Sequence, residues 1–457
     1  MLLSRLNDVV WSPWLLGLFL AAGLYYSLRT GFFQIFRIPL WLRTTFGAML
    51  RRRGRGNGRG ISQFQALATA LASTIGTGSI AGVATAIWFG GPGAVFWMWV
   101  SALLGMMTGC AEKLLSVRYR RAGPAGWLGG PMYYIRDGLK SPLLAGWFAL
   151  ACLPATLTGG DMVQSSSIAA ALQATFGWDR LAVGAAVAVL TGLVMVGGIG
   201  RIARVSSGLV PAMALLYLGG GAAVLAARAD QIPEAMALIF CSALRPEAAV
   251  GGGMGYTLAA ALRYGVARGV FTNEAGLGTS AMAHAAAEVD CPARQGMWGI
   301  VEVCVSTLLV CTATALVILV SGVYGPADAL VRGALGAVPP DRLGAPLTAA
   351  AFSSVLGPWG GAVVSLSLLL FAFSSILGWS WYGEQSILYL TGSRRLVPAY
   401  RLVFLSCVVL GSVWEGEAVW ELVDLCNALM AIPNLTALLL LSPQVLRELR
   451  DWERTGG

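Results

Sequence analysis

Phe64-Gln65-Ala66-Leu67-Ala68-Thr69-Ala70-Leu71-Ala72-Ser73-Thr74-Ile75-Gly76-Thr77-Gly78-Ser79-Ile80-Ala81-Gly82-Val83-Ala84 contains no charged residue, and the apolar run around it extends over about 62–88. A stretch of that length is enough for a helix to cross a bilayer. Gly76-x-Gly78 falls in its middle, where each glycine weakens a helix by about 1 kcal/mol relative to alanine. In lipid a broken helix leaves carbonyls and N–H groups without partners, which is tolerated where they face a cavity or a ligand. A second run, Ala275-Gly276-Leu277-Gly278-Thr279-Ser280, repeats the pattern inside another apolar stretch. One glycine cluster alone reads equally well as a close helix contact. A matched pair points to a binding site near the midplane of a transporter.

Composition agrees with a membrane setting. Of 457 residues 57% are hydrophobic and 12% charged, against about a quarter charged in soluble domains. The 59 glycines suit tight packing between membrane helices. The net charge of +9 sits in short basic clusters between apolar runs, so it speaks for membrane orientation and not for nucleic acid. Eight cysteines are scattered with no Cys-x-x-Cys pair and read as packing residues. The first apolar run, Val9 to Leu28, lacks a basic start and a small-residue cleavage site, and reads as a retained helix.

After that helix comes a basic loop with Arg43, Arg51, Arg52, Arg53, Arg55 and Arg59. Ten further spans are expected near 62–88, 92–117, 142–172, 181–198, 205–227, 252–287, 298–323, 358–391, 402–416 and 419–441. The short apolar segments 235–244 and 345–355 are expected as interfacial or external cover. With the Arg51 loop cytoplasmic, 22 of the 31 Lys and Arg residues fall inside and 6 outside, with Lys113, Arg263 and Arg268 within spans. That excess is the positive-inside pattern. It puts the N-terminus outside and the C-terminus inside; the expected location is a plasma membrane of the bacterial inner-membrane type.

The expectation is therefore an all-α polytopic protein of eleven transmembrane helices. Residues 1–61 form an extra N-terminal helix and basic loop, 62–228 a first five-helix repeat and 229–251 an external connection. Residues 252–441 form a second five-helix repeat and 442–457 a cytoplasmic tail. Because five is odd, the two repeats run in opposite directions, an inverted-topology arrangement.

The opening stretch closely resembles the alanine or glycine:cation symporter family. Gly90-Gly91-Pro92-Gly93, Gly129-Gly130-Pro131-Met132-Tyr133-Tyr134, Asn273-Glu274-Ala275-Gly276-Leu277-Gly278 and Gly378-Trp379-Ser380-Trp381-Tyr382-Gly383-Glu384 extend the match over nearly the whole chain. The resemblance implies a LeuT-type core of five plus five helices behind one extra helix. It implies symport of a small neutral amino acid, alanine or glycine, with sodium or a proton by alternating access. By position, the carbonyls of Ala72 and Ile75 and the hydroxyls of Ser374 and Ser375 would hold sodium. Thr74, Ser79 and Thr272 would surround a second cation. The N–H groups of Thr77 and Gly78 would receive the substrate carboxylate. Gln164 resembles a polar contact from the third core helix, Phe271 and Trp379 would shape a pocket with room for little more than a methyl group, and Glu274 and Gly276 of the second break complete the substrate set. Two positions depart from the family: Ser79 stands where Asn is usual, and Asp161 where Asn is common.

Charged groups at membrane depth line a pathway or pair with one another. Glu274 accordingly reads either as a counter-charge for the substrate ammonium or as a structural ion pair with Arg263 or Arg268. The single histidine, His284, reads as a packed, hydrogen-bonded residue, with pH sensing as the alternative. The only lysines, Lys113 and Lys140, lie in no Gly-x-x-x-x-Gly-Lys loop, and neither a Gly-x-Ser-x-Gly elbow nor His-Glu-x-x-His occurs. The sequence thus speaks against an enzyme, and for sodium as coupling ion with no cofactor, no nucleic acid and no obligate protein partner. An uncoupled facilitator or channel and an amino-acid-sensing receptor remain as other readings.

Overall fold

The computed structural model describes residues 6–7, 9–50, 60–123, 126–244, 258–324, 344–414 and 417–455. Arg51, Arg52, Arg53, Arg55 and Arg59, and parts of the expected segments 229–251 and 252–287, lie outside the described residues. The rest is almost entirely helical, with one two-stranded hairpin, Arg121–Gly123 against Gly126–Leu128. Among the described residues, seven helices are long and apolar enough to cross a bilayer. They are Gly93–Arg118, Pro142–Phe176, Gly198–Ala227, Pro292–Val320, Pro358–Thr391, Arg394–Val413 and Val419–Leu440. The bent pair Gln63–Thr74 and Gly78–Gly90 makes an eighth when taken as one span. Exposed Leu143, Leu150, Val189, Leu193, Leu215 and Leu402 stud the outer helices, as expected where lipid is the solvent.

The first broken helix starts on a capping box: Ser62 Oγ accepts from Gln65 N–H while Gln65 Oε1 accepts from Ser62 N–H. Regular hydrogen bonding stops at Ile75, whose ψ of 80° leaves the helical region. After Thr77 the chain resumes through a π-turn, Gly78–Gly82, bent by 53° from the first half. The second break is longer. The helix Leu258–Asn273 ends at Asn273, and only Ala281–Ala285 continues it. Within the expected span 252–287 the described residues thus form one longer helix and a single short turn. Glu274, Gly276 and Gly278 take left-handed φ values of 53°, 98° and 81° between them. A side chain on Gly276 would be strained by that φ and would also sit 2.5 Å from the Phe19 ring.

Gly93–Arg118 packs on Leu258–Asn273 and on Pro292–Val303. Backbones touch there, because a Cβ on Gly299 would lie 2.5 Å from the Gly109 carbonyl. Pro142–Phe176 packs instead on Pro358–Thr391 and Val397–Val413. The cytoplasm-facing ends of the two broken helices, in the expected orientation, are tied together. Ile61 N–H donates to Ala286 O at 3.0 Å and Glu288 N–H to Ile61 O at 2.8 Å.

One expectation needs adjusting, and two gain detail. Arg43 is not in a loop but in the helix Ile38–Leu50, where one basic residue among apolar ones hides the helical pattern. The short apolar segments are helices, Ile232–Leu244 and Ala345–Leu356. The tail forms an amphipathic helix, Ser442–Arg454, that buries Val445, Leu446, Leu449 and Trp452 against the body.

Candidate substrate and cation site

A small cavity opens where the two breaks meet. Its wall is made by Ser73, Thr74, Gly76 and Gly78 of the first break, and by Phe271, Glu274 and Leu277 of the second. Gly159 and Gln164, Trp379, and Val423 and Asn427 close it from three further helices. Interrupted backbone therefore lies against a hollow and not against lipid, as the physics of a helix break in a membrane requires.

On one side of the first break the hydroxyls of Ser374 and Ser375 point at freed carbonyls. Ser374 Oγ lies 3.1 Å from Ala72 O, and Ser375 Oγ lies 3.0 Å from Ala72 O and 3.2 Å from Ser73 O. Gly76 is beside the same hydroxyl, since a Cβ there would be 2.5 Å from Ser375 Oγ. Carbonyl and hydroxyl oxygens with no carboxylate make a hard donor set of the kind that holds sodium weakly enough to release it. Ile75, also expected there, contributes the residue at which the helix stops.

On the cavity side, Thr77 N–H donates to Gln164 Oε1 at 3.3 Å, and Gln164 Nε2 donates to Gly159 O at 3.0 Å. Gly78 packs against Phe271 and Thr272, with a built Cβ at 2.9 and 3.0 Å from them. The hydroxyls of Thr77 and Ser79 are buried without a hydrogen-bond partner, while Ser79 O accepts from Thr314 Oγ1 at 2.9 Å. Thr74 and Thr272 return their hydroxyls to their own helices, at 3.4 Å to Leu71 O and 2.8 Å to Arg268 O. Trp379 covers the floor against Gly160.

Glu274 is buried and lines the cavity, and its Oε2 accepts from Thr279 Oγ1 at 2.5 Å. Arg268 stands 4.0 Å from Asp424 instead, in the wall of a second hollow with Asn7 and Trp11 that shares Phe271, Leu277 and Asn427 with the cavity. The plain ion-pair reading of Glu274 with Arg268 is therefore not what the side chains do. Gly276 stands apart from the cavity wall. Its N–H donates to Glu112 Oε1 at 2.8 Å, and its carbonyl accepts from Asn434 Nδ2 at 2.8 Å.

Sequence reasoning left out the buried network that holds the second break. Asn434 Nδ2 also donates to Glu112 Oε1 at 2.7 Å, and Tyr134 donates to Asn434. Lys113 Nζ lies 3.4 Å from Glu112 and 3.2 Å from Glu302, and His284 Nε2 is 3.1 Å from Glu302. Gln295 Nε2 meets His284 Nδ1 at 2.6 Å, so His284 is a packed, bonded histidine. The signal that could have found this network is the charge of Glu112, Lys113 and Glu302 inside expected spans.

A helical membrane protein with two interrupted spans around a polar hollow belongs to the class of secondary transporters. This chain is a member of the sodium:alanine symporter family, whose model matches residues 1–456. It is 42% identical over 454 residues to an uncharacterized transporter of Haemophilus influenzae, covering 99% of this chain and 95% of that one. It is 41% identical to the sodium/alanine symporter AgcS of Methanococcus maripaludis, covering 98% of this chain and 96% of that one. In fold it is similar to a crystallised variant of the manganese transporter of Eremococcus coleocola, with a TM-score of 0.51 at 17% identity over 87% of this chain and 80% of that one. The family and these relatives are transporters, so the chain is a cation-coupled amino-acid symporter by class and not an enzyme.

Proposed function

We propose that the protein carries alanine or glycine into the cell together with sodium, by alternating access in a bacterial inner membrane. The carboxylate of the amino acid takes the Thr77 and Gly78 N–H groups, which are free of helix partners at the first break. Its ammonium faces Glu274, and its small side chain fits between Phe271 and Trp379. Sodium sits on the Ala72 and Ile75 carbonyls and the Ser374 and Ser375 hydroxyls, with Thr74, Ser79 and Thr272 the candidates for a second cation. Ion and substrate then share one stretch of freed backbone, so each stabilises the arrangement the other binds.

The architecture we infer is of LeuT type with eleven spans. The helix Pro13–Arg29, the helix Arg180–Met195 and the interrupted segment from Leu258 to Ala285 join the eight spans described above. Residues 62–228 and 252–441 form the two inverted repeats, with the N-terminus outside and the C-terminus inside. The meeting of both breaks at one cavity is the observation that supports this reading most. Its test is uptake of labelled alanine by the purified protein in vesicles. Accumulation should require an inward sodium or proton gradient, and uptake indifferent to both would overturn coupled symport.

A further inference from the structure

One buried carboxylate has no part in the transport site just described. Asp161 lies in the π-turn Thr158–Met162, which interrupts the Pro142–Phe176 span four residues after Pro154. Its side chain is fully buried, and no hydrogen-bond donor reaches either carboxylate oxygen. Such turns recur at functional sites because they put one extra residue into the helix.

The turn joins the cavity to the helix Val397–Val413. Gly159 is in the cavity wall, and Gly160 is pressed on Trp379, with a built Cβ 2.4 Å from Trp379 Cβ. On the far side Met162 is pressed on Gly411, where a built Cβ would be 2.5 Å from Met162 Cα. On Val397–Val413 the titratable and charged groups are Tyr400, which donates to Thr156 Oγ1 at 3.1 Å, Arg401 and Cys407. On Pro358–Thr391 the nearest acid, Glu384, is held by Arg401 of Val397–Val413 at 2.7 and 3.0 Å. From Val419 onward on Glu417–Leu440 the titratable groups are Glu421, Asp424 and Cys426, of which Asp424 stands by Arg268. Among the described residues none brings a positive charge to Asp161.

An ionised carboxylate with neither donor nor counter-ion is strongly disfavoured in a buried, apolar setting, and a bound proton removes the charge. Sodium would neutralise it as well, but neither Ser374 nor Ser375 of the hydroxyl cluster reaches Asp161. We propose that Asp161 is a proton-binding site, loaded in this arrangement and emptied when the π-turn parts from Val397–Val413, so that transport carries a proton besides the cation. The proton binds one carboxylate oxygen on one side of the membrane and leaves from it to water on the other. The proposal rests on the transport reading above.

The test uses the full chain in vesicles holding a pH-sensitive dye, with an inward sodium gradient. Alanine should acidify the lumen of wild-type vesicles in step with uptake. Asp161→Asn, which keeps the shape and removes the titration, should take up alanine with no acidification and with a flat pH profile. Asp161→Ser serves where the asparagine variant does not fold. Absence of acidification by wild-type protein that accumulates alanine would overturn the proposal. So would acidification undiminished in the variant, or a variant whose sole change is a higher sodium requirement. A second measurement needs no transport: the infrared spectrum of the resting protein should show a protonated-carboxyl band that Asp161→Asn removes, and a spectrum without that difference contradicts the proposal. A wild-type protein that binds the proton in this spectrum yet moves no alanine would fail the symport reading and leave the proton site standing.

Discussion

The side-chain amide oxygen of Gln164 accepts the backbone N–H of Thr77 at 3.3 Å. That N–H is one of the two expected to grip the substrate carboxylate, so the Gln164 oxygen stands where a substrate oxygen would go. Binding then exchanges one acceptor for another and leaves no donor orphaned. Gln164→Glu puts a fixed negative charge at the same place. Alanine affinity should fall by at least about tenfold, the equivalent of roughly 1.4 kcal/mol, as read by calorimetric titration. Gln164→Ala should cost less, because the open N–H is left to the substrate.

Ser374 and Ser375 both aim hydroxyls at the Ala72 carbonyl. Removing either leaves the helix intact and takes one ligand from the cation. Ser374→Ala and Ser375→Ala should each raise the sodium concentration for half-maximal uptake by about tenfold, with thermal stability changed by no more than about 1 kcal/mol. Unchanged sodium activation would remove the residue from the site.

Glu274 brings its carboxyl group to the cavity while Thr279 holds one oxygen. Glu274→Gln keeps the acceptor for Thr279 and removes the charge. Uptake should drop by on the order of 10- to 100-fold, the scale of a lost charge-assisted bond of about 1.5–3 kcal/mol. The melting temperature in detergent should stay near that of wild type. A matching loss of stability would make Glu274 a structural residue.

Gly276 combines a φ of 98° with a Phe19 ring only 2.5 Å from where a Cβ would lie. Gly276→Ala should destabilise the protein by about 2–4 kcal/mol through strain and clash together. Thermal unfolding in detergent reads this directly, and an unshifted transition would show that the second break tolerates an ordinary residue.

Much of the site can be read along the chain because a break in a membrane helix has a local cause. Gly76, Gly78, Gly276 and Gly278 mark both interruptions by composition alone, and Gln164, Phe271, Glu274 and Trp379 meet Gly76 and Gly78 in one cavity wall. The network behind the second break depends on apposition across hundreds of residues. Glu112 meets Gly276 and Asn434 from 164 and 322 positions away, which no local pattern reports. The same holds for Asn427 and Val423, ordinary residues of an apolar span until the fold turns them toward the hollow. The short turn Ala281–Ala285 was also not legible, because an apolar run shows where a span begins and ends but not where its backbone stops being helical. Arg43 misleads for the opposite reason: a basic residue reads as loop although its neighbours alternate with helical period.

Sharing of freed backbone between cation and amino acid is tested most directly by reciprocal titration of the purified protein. Alanine affinity is measured with and without sodium, and sodium affinity with and without alanine. Linkage requires the two enhancement factors to be equal, and the shared site predicts a factor of about tenfold or more in each. Alanine binding with the same affinity in sodium-free buffer would contradict it.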